Sequence, residues 1–538
     1  MLNASLIILI LEATGVTFLR LWILMIISIF IAIVFGILSA RVKVAELIVL
    51  PIVDVLEAVP VVSFFPIVLV FFIVDIGGPI GTELAVDVLI ITALVWNIII
   101  GVYQAVSHIP QELIDTSLAF RMSFWKRMRD LYLPASYQKI VANVMPSFAS
   151  GLFYITFSEV IALGPHSYHV FGIGDVALSL TDSGNIAGTL ILIAILVAVI
   201  VLNFILIINP LVRWSRKYTF EMESAAQEYR RRNTLISSLQ QRTNAVVNSV
   251  GRMFQSASRI AAAFPARTRK TRKIRSSTKA INIFVGFVLI LVLLISIYLI
   301  AQAGFSAAFT RYFTDRSFLA DATVGTAYDL LRIAIVYFVS IITMVPLAIV
   351  AGRKGREGDA LNGTMQVLYS VPAPIFYPLI LRFLTPLLMR GMSFDLALNI
   401  NVLIITYLSA ASYIFFNVFT AVRGIPAEFE MVARTFKFSR FSRLRYLTIP
   451  AIIPAFITGS MSAVGSYWAG LMIGEYQALP SGTYAVSYGL MKMIDQAISQ
   501  GNLLYADAID IFMVIVIIVL SYLLWIRLFE YSRRRFSF

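Results

Sequence analysis

The chain of 538 residues is 59% hydrophobic, only 13% charged, and has a mean hydropathy of +0.87, which excludes a water-soluble enzyme. It has no cysteine, so disulfides and thiolate metal sites are excluded as well. The net charge of +14 raises nucleic acid as a partner, a reading that the distribution of that charge opposes.

In chain order, the first feature is a short apolar run, Leu6–Leu11. It is followed by Glu12 rather than by a small-residue cleavage site, so no typical cleaved signal is expected. Apolar runs then follow near 17–40, 50–74, 87–106, 136–163 and 187–211, and again near 279–301, 326–351, 362–389, 398–421, 450–476 and 507–529. About 20 such residues make a helix long enough to cross the hydrocarbon core. The runs lack the two-residue alternation of a membrane barrel. The predicted fold class is an all-α polytopic membrane protein of about eleven transmembrane helices.

Between the fifth and sixth runs, residues 212–278 are rich in Arg, Lys, Ser, Asn and Gln, with three acids. They read as a basic cytoplasmic linker lying against lipid headgroups, with a regulatory or partner-binding role as the alternative. The chain thus divides into a first half at 1–211, the linker at 212–278 and a second half at 279–538. With the linker facing the cytoplasm, 36 of the 43 Lys and Arg fall on that side, while Asp75, Glu83, Asp87, Asp175, Asp182, Asp321 and Asp507 fall on the other. This is the positive-inside pattern. The charge therefore reports topology and contact with the lipid bilayer, not nucleic acid. It predicts a plasma-membrane protein with a cytoplasmic C-terminus.

The halves are copies. "ELIDTSLAFRMSFWKRMRDLYLP", Glu112 to Pro134, aligns without gaps on "EFEMVARTFKFSRFSRLRYLTIP", Glu428 to Pro450, at an offset of 316. The register continues to Glu159 and Glu475. Upstream the offset is 312, pairing Arg20 with Arg332, Arg41 with Arg353, Pro60 with Pro372 and Pro66 with Pro378. Each half holds five matched spans. The second half adds one at its front, which the first half replaces with Leu6–Leu11. Parallel repeats are related by an axis along the membrane normal, where transporters commonly place a substrate path.

Within each repeated stretch a proline precedes a helix whose first turn carries acids, as Pro426 does for Glu428 and Glu430. The helix should break around Phe436–Phe438, with Ser439, or Ser123 in the first copy, capping a second short helix. Pro450 or Pro134 then opens the next span. An apolar stripe of Met122, Trp125 and Met128, or Phe438, Phe441 and Leu444, is expected at the surface. An interfacial helix lying in headgroups would look similar. Two copies at one spacing favour a symmetric pair of docking elements for a cytoplasmic partner.

The spacing resembles the signature of ABC-importer permeases of type I: Glu-Ala-Ala, three residues, Gly, nine residues, Ile-x-Leu-Pro. In that frame the first copy reads Asp115-Thr116-Ser117, Arg121, Leu131-x-Leu133-Pro134, and the second reads Met431-Val432-Ala433, Lys437, Leu447-x-Ile449-Pro450. Arg121 and Lys437 replace the family's glycine, which would permit a positive φ or a close approach of another backbone. "LPIVDVLEAVPVVSFFPIVLVFF" and "LNGTMQVLYSVPAPIFYPLILRF" are similar to the proline-containing span of the nitrate, sulfonate and taurine permeases. Fused ferric-iron permeases are a neighbouring possibility.

The resemblance implies a binding-protein-dependent importer with alternating access. Two cytoplasmic ABC ATPase subunits would grip the bent elements, and an extracytoplasmic substrate-binding protein would deliver the cargo. The residues it assigns to ATPase coupling are Glu112, Asp115, Ser117, Arg121, Ser123, Trp125, Arg127 and Pro134, with Glu428, Ala433, Lys437, Ser439, Phe441, Arg443 and Pro450 in the second copy. No second permease copy is required. The chain is not expected to be an enzyme: "AGRKGREGD" lacks the phosphate-loop spacing, so ATP and Mg are expected on the ATPase partner and no cofactor here.

Candidates for the translocation path or gate are the matched acids Glu159 and Glu475 and the helix-interrupting Pro60, Pro66, Pro372 and Pro378. The two acids are expected to pair with Arg20 or Arg332. Trp96 and Trp468 read as packing or interface anchors. The three histidines, at 108, 166 and 169, do not form a metal site. An ion-driven carrier or channel built from parallel repeats, and a non-transporting scaffold, are the alternative functions.

Overall fold

A computed structural model describes residues 4–58, 61, 68, 71–72, 76–163, 166–218, 310–479, 482–520, 523–524 and 527–528. The first half comprises α1 (Ala4–Arg41), α2 (Lys43–Ala58), α3 (Gly78–Ser107), α4 (Gln111–Ala119) and α5 (Phe124–Ser158). A hairpin of β1 (Val160–Leu163) and β2 (His166–His169) follows, then α6 (Ile173–Asp182) and α7 (Ile186–Ser215). The second half repeats the order with α8 (Arg316–Arg353), α9 (Arg356–Ser370), α10 (Ala373–Leu388), α11 (Phe394–Arg423), α12 (Ala427–Thr435) and α13 (Arg440–Glu475). It closes with β3 (Tyr476–Leu479), β4 (Gly482–Ala485), α14 (Leu490–Ser499) and α15 (Leu503–Leu520).

Eight of the described helices are long and apolar enough to cross a membrane, or nine if the bent pair α9–α10 is one span. The all-α polytopic class holds. Of the eleven expected spans, 279–301 lies outside the described residues, as does most of 59–75 with Pro60 and Pro66.

The duplication is reproduced in three dimensions. Helices α1 and α8 are both 38 residues long and begin and end at the 312 offset, while α3 and α11, both of 30 residues, match at 316. This corrects one expectation: Leu6–Leu11 does not stand as a separate run in place of the extra span but forms the first turns of α1, where α8 carries Phe318–Thr323. A second correction concerns the short helix after each bend. Phe124–Arg127 and Arg440–Arg443 run directly into the following span through a single π-helical turn, Met128–Tyr132 or Leu444–Thr448. Pro134 and Pro450 therefore sit inside a continuous helix. Each proline lacks an N–H and its ring crowds the carbonyl one turn back, a conflict that a wider turn relieves.

Small residues allow the close helix crossings expected where apolar burial between helices gains little. A side chain at Gly36 would collide with Val102 of α3, and one at Gly352 with Val422 of α11. The halves exchange contacts: α2 packs on α13 and α15, and α9 and α10 pack on α5. Helices α9 and α10 meet at 68°, broken at Val371-Pro372, where both residues are extended. A residue before proline is driven out of the helical region, so the break follows from the sequence.

Candidate functional site: two bends and two buried carboxylates

At the basic end of the bundle, α4 and α12 each finish in the same way. Met122 N–H donates to the Ser117 carbonyl at 3.0 Å and Arg121 N–H to that of Leu118 at 2.9 Å; Phe438 to Ala433 and Lys437 to Arg434 repeat this at 2.9 and 3.0 Å. These paired bonds close a helix with one residue in the left-handed region. That residue is Arg121 in one copy and Lys437 in the other, both at φ 51°, and they are the only non-glycine residues with positive φ among those described. The glycine position keeps its backbone without the glycine.

Ser123 and Ser439 cap the next helical turn as expected, accepting from Lys126 N–H at 3.3 Å and Ser442 N–H at 3.1 Å. The predicted stripe is only partly presented. Trp125 and Phe441 are exposed, at 75% and 69%, whereas Met128 and Leu444 turn towards the helices. Phe120 and Phe436 join the exposed pair, at 79% and 73%. Both close their helix just before the left-handed residue, and their identity across the repeat was the signal for them.

Glu112, Asp115 and Glu428 lie on the exposed face of their helices, and Asp115 accepts from Gln111 Nε2 at 3.0 Å. Ser117 and Ala433 are buried beneath the bend. Arg443 of α13 forms an ion pair across the bend with Glu430 of α12. Among the described residues the first copy has no such pair: Ile114 occupies the position of Glu430, and Arg127 Nε is buried without a partner.

At the opposite end, Glu159 and Glu475 are fully buried. Glu159 accepts from Thr17 Oγ1 at 2.7 Å and from Gly174 N–H at 2.6 Å, while Ile173 N–H donates to Thr17 Oγ1. Arg20 lies 3.6 Å away and bonds Glu83 at 2.8 Å. In the second half Arg332 donates to Glu475 at 2.7 Å and to Asp329 at 3.1 Å. Its other nitrogens reach the Asn399 side chain and the Tyr488 carbonyl. Leu490 N–H donates to Asp329 and Lys492 N–H to Glu475.

Each acid thus caps the first turn of a ten-residue helix, α6 or α14, whose unpaired N–H groups and dipole favour a carboxylate. A Cβ at Gly172 or Gly489 would strike the carboxylate, so the approach requires glycine. The structure brings both acids onto the expected arginines. Thr17 and Asp329, matched at 312, complete the networks and carry no signal in the sequence until α6 and α14 fold back. Of the proline candidates, Pro372 marks the α9–α10 break, and Pro378 lies within α10 next to Tyr377, whose hydroxyl donates to the Gly474 carbonyl at 2.5 Å. No group of three potential ligands for a metal occurs among the described residues.

The family described as "Binding-protein-dependent transport system inner membrane component" matches the chain twice, over residues 32–214 and 344–537, which is most of its length. The chain is 27% identical over 30% of its length to a putative aliphatic sulfonates transport permease protein of Bacillus subtilis, covering 53% of that protein. It is also similar to nitrate import permease proteins of Synechococcus elongatus, at 27% identity over 27% of the chain and 49% of the relative, and of Leptolyngbya laminosa, at 28% over 28% and 50%. It spans about half the length of these curated relatives.

Proposed function

We propose that this chain, which belongs to the family of binding-protein-dependent transport system inner membrane components, is the whole transmembrane part of an ATP-driven importer, both permease halves being fused in one polypeptide. The observation that carries this reading is the paired bend at Arg121 and Lys437. It presents two like surfaces, related by the repeat, at one end of the bundle. Two separate ABC ATPase subunits dock there, on the cytoplasmic side with the linker and the C-terminus, and hydrolyse ATP. Their closure is passed to the spans directly, because each docking turn is the first turn of a continuous 35- or 36-residue helix. A binding protein delivers cargo at the opposite end, where Glu159 with Arg20 and Glu475 with Arg332 lock α6 and α14 to the spans. These locks form the outer gate of an alternating-access cycle. The sulfonate and nitrate permeases to which the chain is similar support a small oxyanion as cargo. Isolation of the full chain from its native membrane tests the reading. Two ATPase subunits per chain are expected, and a chain recovered without any ATPase would overturn it.

A further inference from the structure

The repeat keeps one cation that the docking surfaces do not explain: Arg41, the last residue of α1, and its mate Arg353, the last of α8. A basic residue at the end of a span commonly reaches out to lipid headgroups. These two reach inward. Arg41 Nη2 donates to the Val106 carbonyl in the last turn of α3 at 2.6 Å, and its guanidinium carbon lies 4.7 Å from the centre of the buried Tyr132 ring. Arg353 Nη2 donates to Oγ1 of the fully buried Thr448. Tyr132 and Thr448 are mates at the 316 offset, and each is the last residue of the π turn that joins a docking turn to its span.

What the arginines tie these turns to is a pair of tightly crossed spans. Gly36 of α1 lies against Val102 of α3, and Gly352 of α8 against Val422 of α11, with no room for a side chain at either glycine. Just beyond the first crossing, Arg41 bonds α3 directly. In the second half that tie falls to Arg423 of α11, which donates to the Lys354 and Gly355 carbonyls at 2.9 and 3.0 Å. The mate of Arg423 is Ser107, and in the first half Arg41 makes both ties. Helices kink at π turns, so a push on a docking turn can be lost in bending there. Thr448 Oγ1 also donates to the Arg443 carbonyl at 3.4 Å, so the side chain that Arg353 holds reaches back across the whole turn.

We propose that Arg41 and Arg353 are positioning residues for coupling: each bolts the π turn of α5 or α13 to the crossed pair α1–α3 or α8–α11, so that movement of a docking turn shifts three spans together. Their part is in transmission, not in docking. This deepens the permease reading and rests on it.

Substitutions at the far ends of the two contacts test this without altering either arginine. The full chain is reconstituted in lipid vesicles with its ATPase subunits, and ATPase affinity is measured beside the ATP turnover stimulated by the binding protein. Thr448→Val, which removes the hydroxyl and keeps the shape, should lower stimulated turnover about tenfold, the scale of one hydrogen bond to a charged group. Tyr132→Leu, which removes the π face, should lower it about threefold. Thr448→Ser and Tyr132→Phe keep the contacts and should keep the turnover, and ATPase affinity should be unchanged in all four variants. Arg353→Gln added to Thr448→Val should lower turnover no further, because both changes break one contact. Full stimulation in Thr448→Val or in Tyr132→Leu would overturn the inference and leave the arginines as headgroup anchors. A loss shared by Thr448→Ser or Tyr132→Phe, one that follows weakened ATPase binding, or a further loss on adding Arg353→Gln would overturn it too. The permease reading survives each of these outcomes as long as the parent chain is stimulated, whereas a parent that binds no ATPase would overturn both.

Discussion

Arg121 and Lys437 lie 316 residues apart, and their backbones take the same left-handed conformation, φ 51° in each. In both, two backbone hydrogen bonds close the helix around a residue whose Cβ opposes that geometry. The left-handed region costs an L-residue about 1–2 kcal/mol. The surrounding bonds and the Ser caps hold it there, and the cation is presented at the surface beside Phe120 or Phe436.

Replacing Arg121 or Lys437 by glycine removes the steric cost but loosens the unfolded chain by an opposing amount of similar size. Each glycine variant should therefore unfold within about 1 kcal/mol of the parent. Arg121→Val should be the less stable variant by about 1–2 kcal/mol, because β-branching adds to the left-handed penalty. Unfolding in detergent measures the order; a valine variant as stable as glycine would contradict it.

The arginines at the opposite end should differ in consequence. Arg332→Ala leaves Glu475 and Asp329 buried without their cation, at a cost of about 3–5 kcal/mol. Arg20→Ala should cost less, because its shortest ion pair is with the half-exposed Glu83 and Thr17 still donates to Glu159. Unfolding midpoints of the two variants decide this. Equal losses would mean that the two networks carry the same load.

Arg443 of α13 pairs across the bend with Glu430 of α12, so its charge positions the bend as well as facing outwards. Charge reversal at Arg127 and Arg443 together should release the ATPases and leave the spans folded. Exchanging the second pair, Glu430→Arg with Arg443→Glu, should recover docking at that copy, measured by ATPase co-purification. If the exchange is as defective as Arg443→Glu alone, the ATPase reads Arg443 directly.

Trp125 and Phe441 are exposed enough that truncation should spare the fold. As aromatic anchors at an interface, each should be worth about 2 kcal/mol of ATPase binding, roughly thirtyfold in Kd. Titration of ATPase onto Trp125→Ala and Phe441→Ala membranes measures it. An unchanged Kd in both would remove these side chains from the interface.

Much of this architecture could be read in the sequence because duplication supplied a second copy of every local signal. Pro426, the acids after it and the break at Phe436–Phe438 are set by residues within one or two turns of each other, and the bend stands where they put it. What escaped depends on distant contacts or on helix continuity. The π turns before Pro134 and Pro450 hide the junction between a short helix and a span, since a proline ordinarily marks a start. The partners of Glu475 lie 143 and 17 residues away, and only the return of α14 brings Lys492 N–H to it. A cavity between the halves needs five helices, α2, α3, α5, α11 and α13, with no motif in any one of them.

The most direct measurement of the central claim is ATP turnover by the chain reconstituted in lipid vesicles with its ATPase subunits, with and without its binding protein. The account predicts that the loaded binding protein stimulates turnover, and that Trp125→Ala with Phe441→Ala abolishes the stimulation while leaving the chain folded. Turnover equal to that of the ATPases alone, with or without the binding protein, would contradict it.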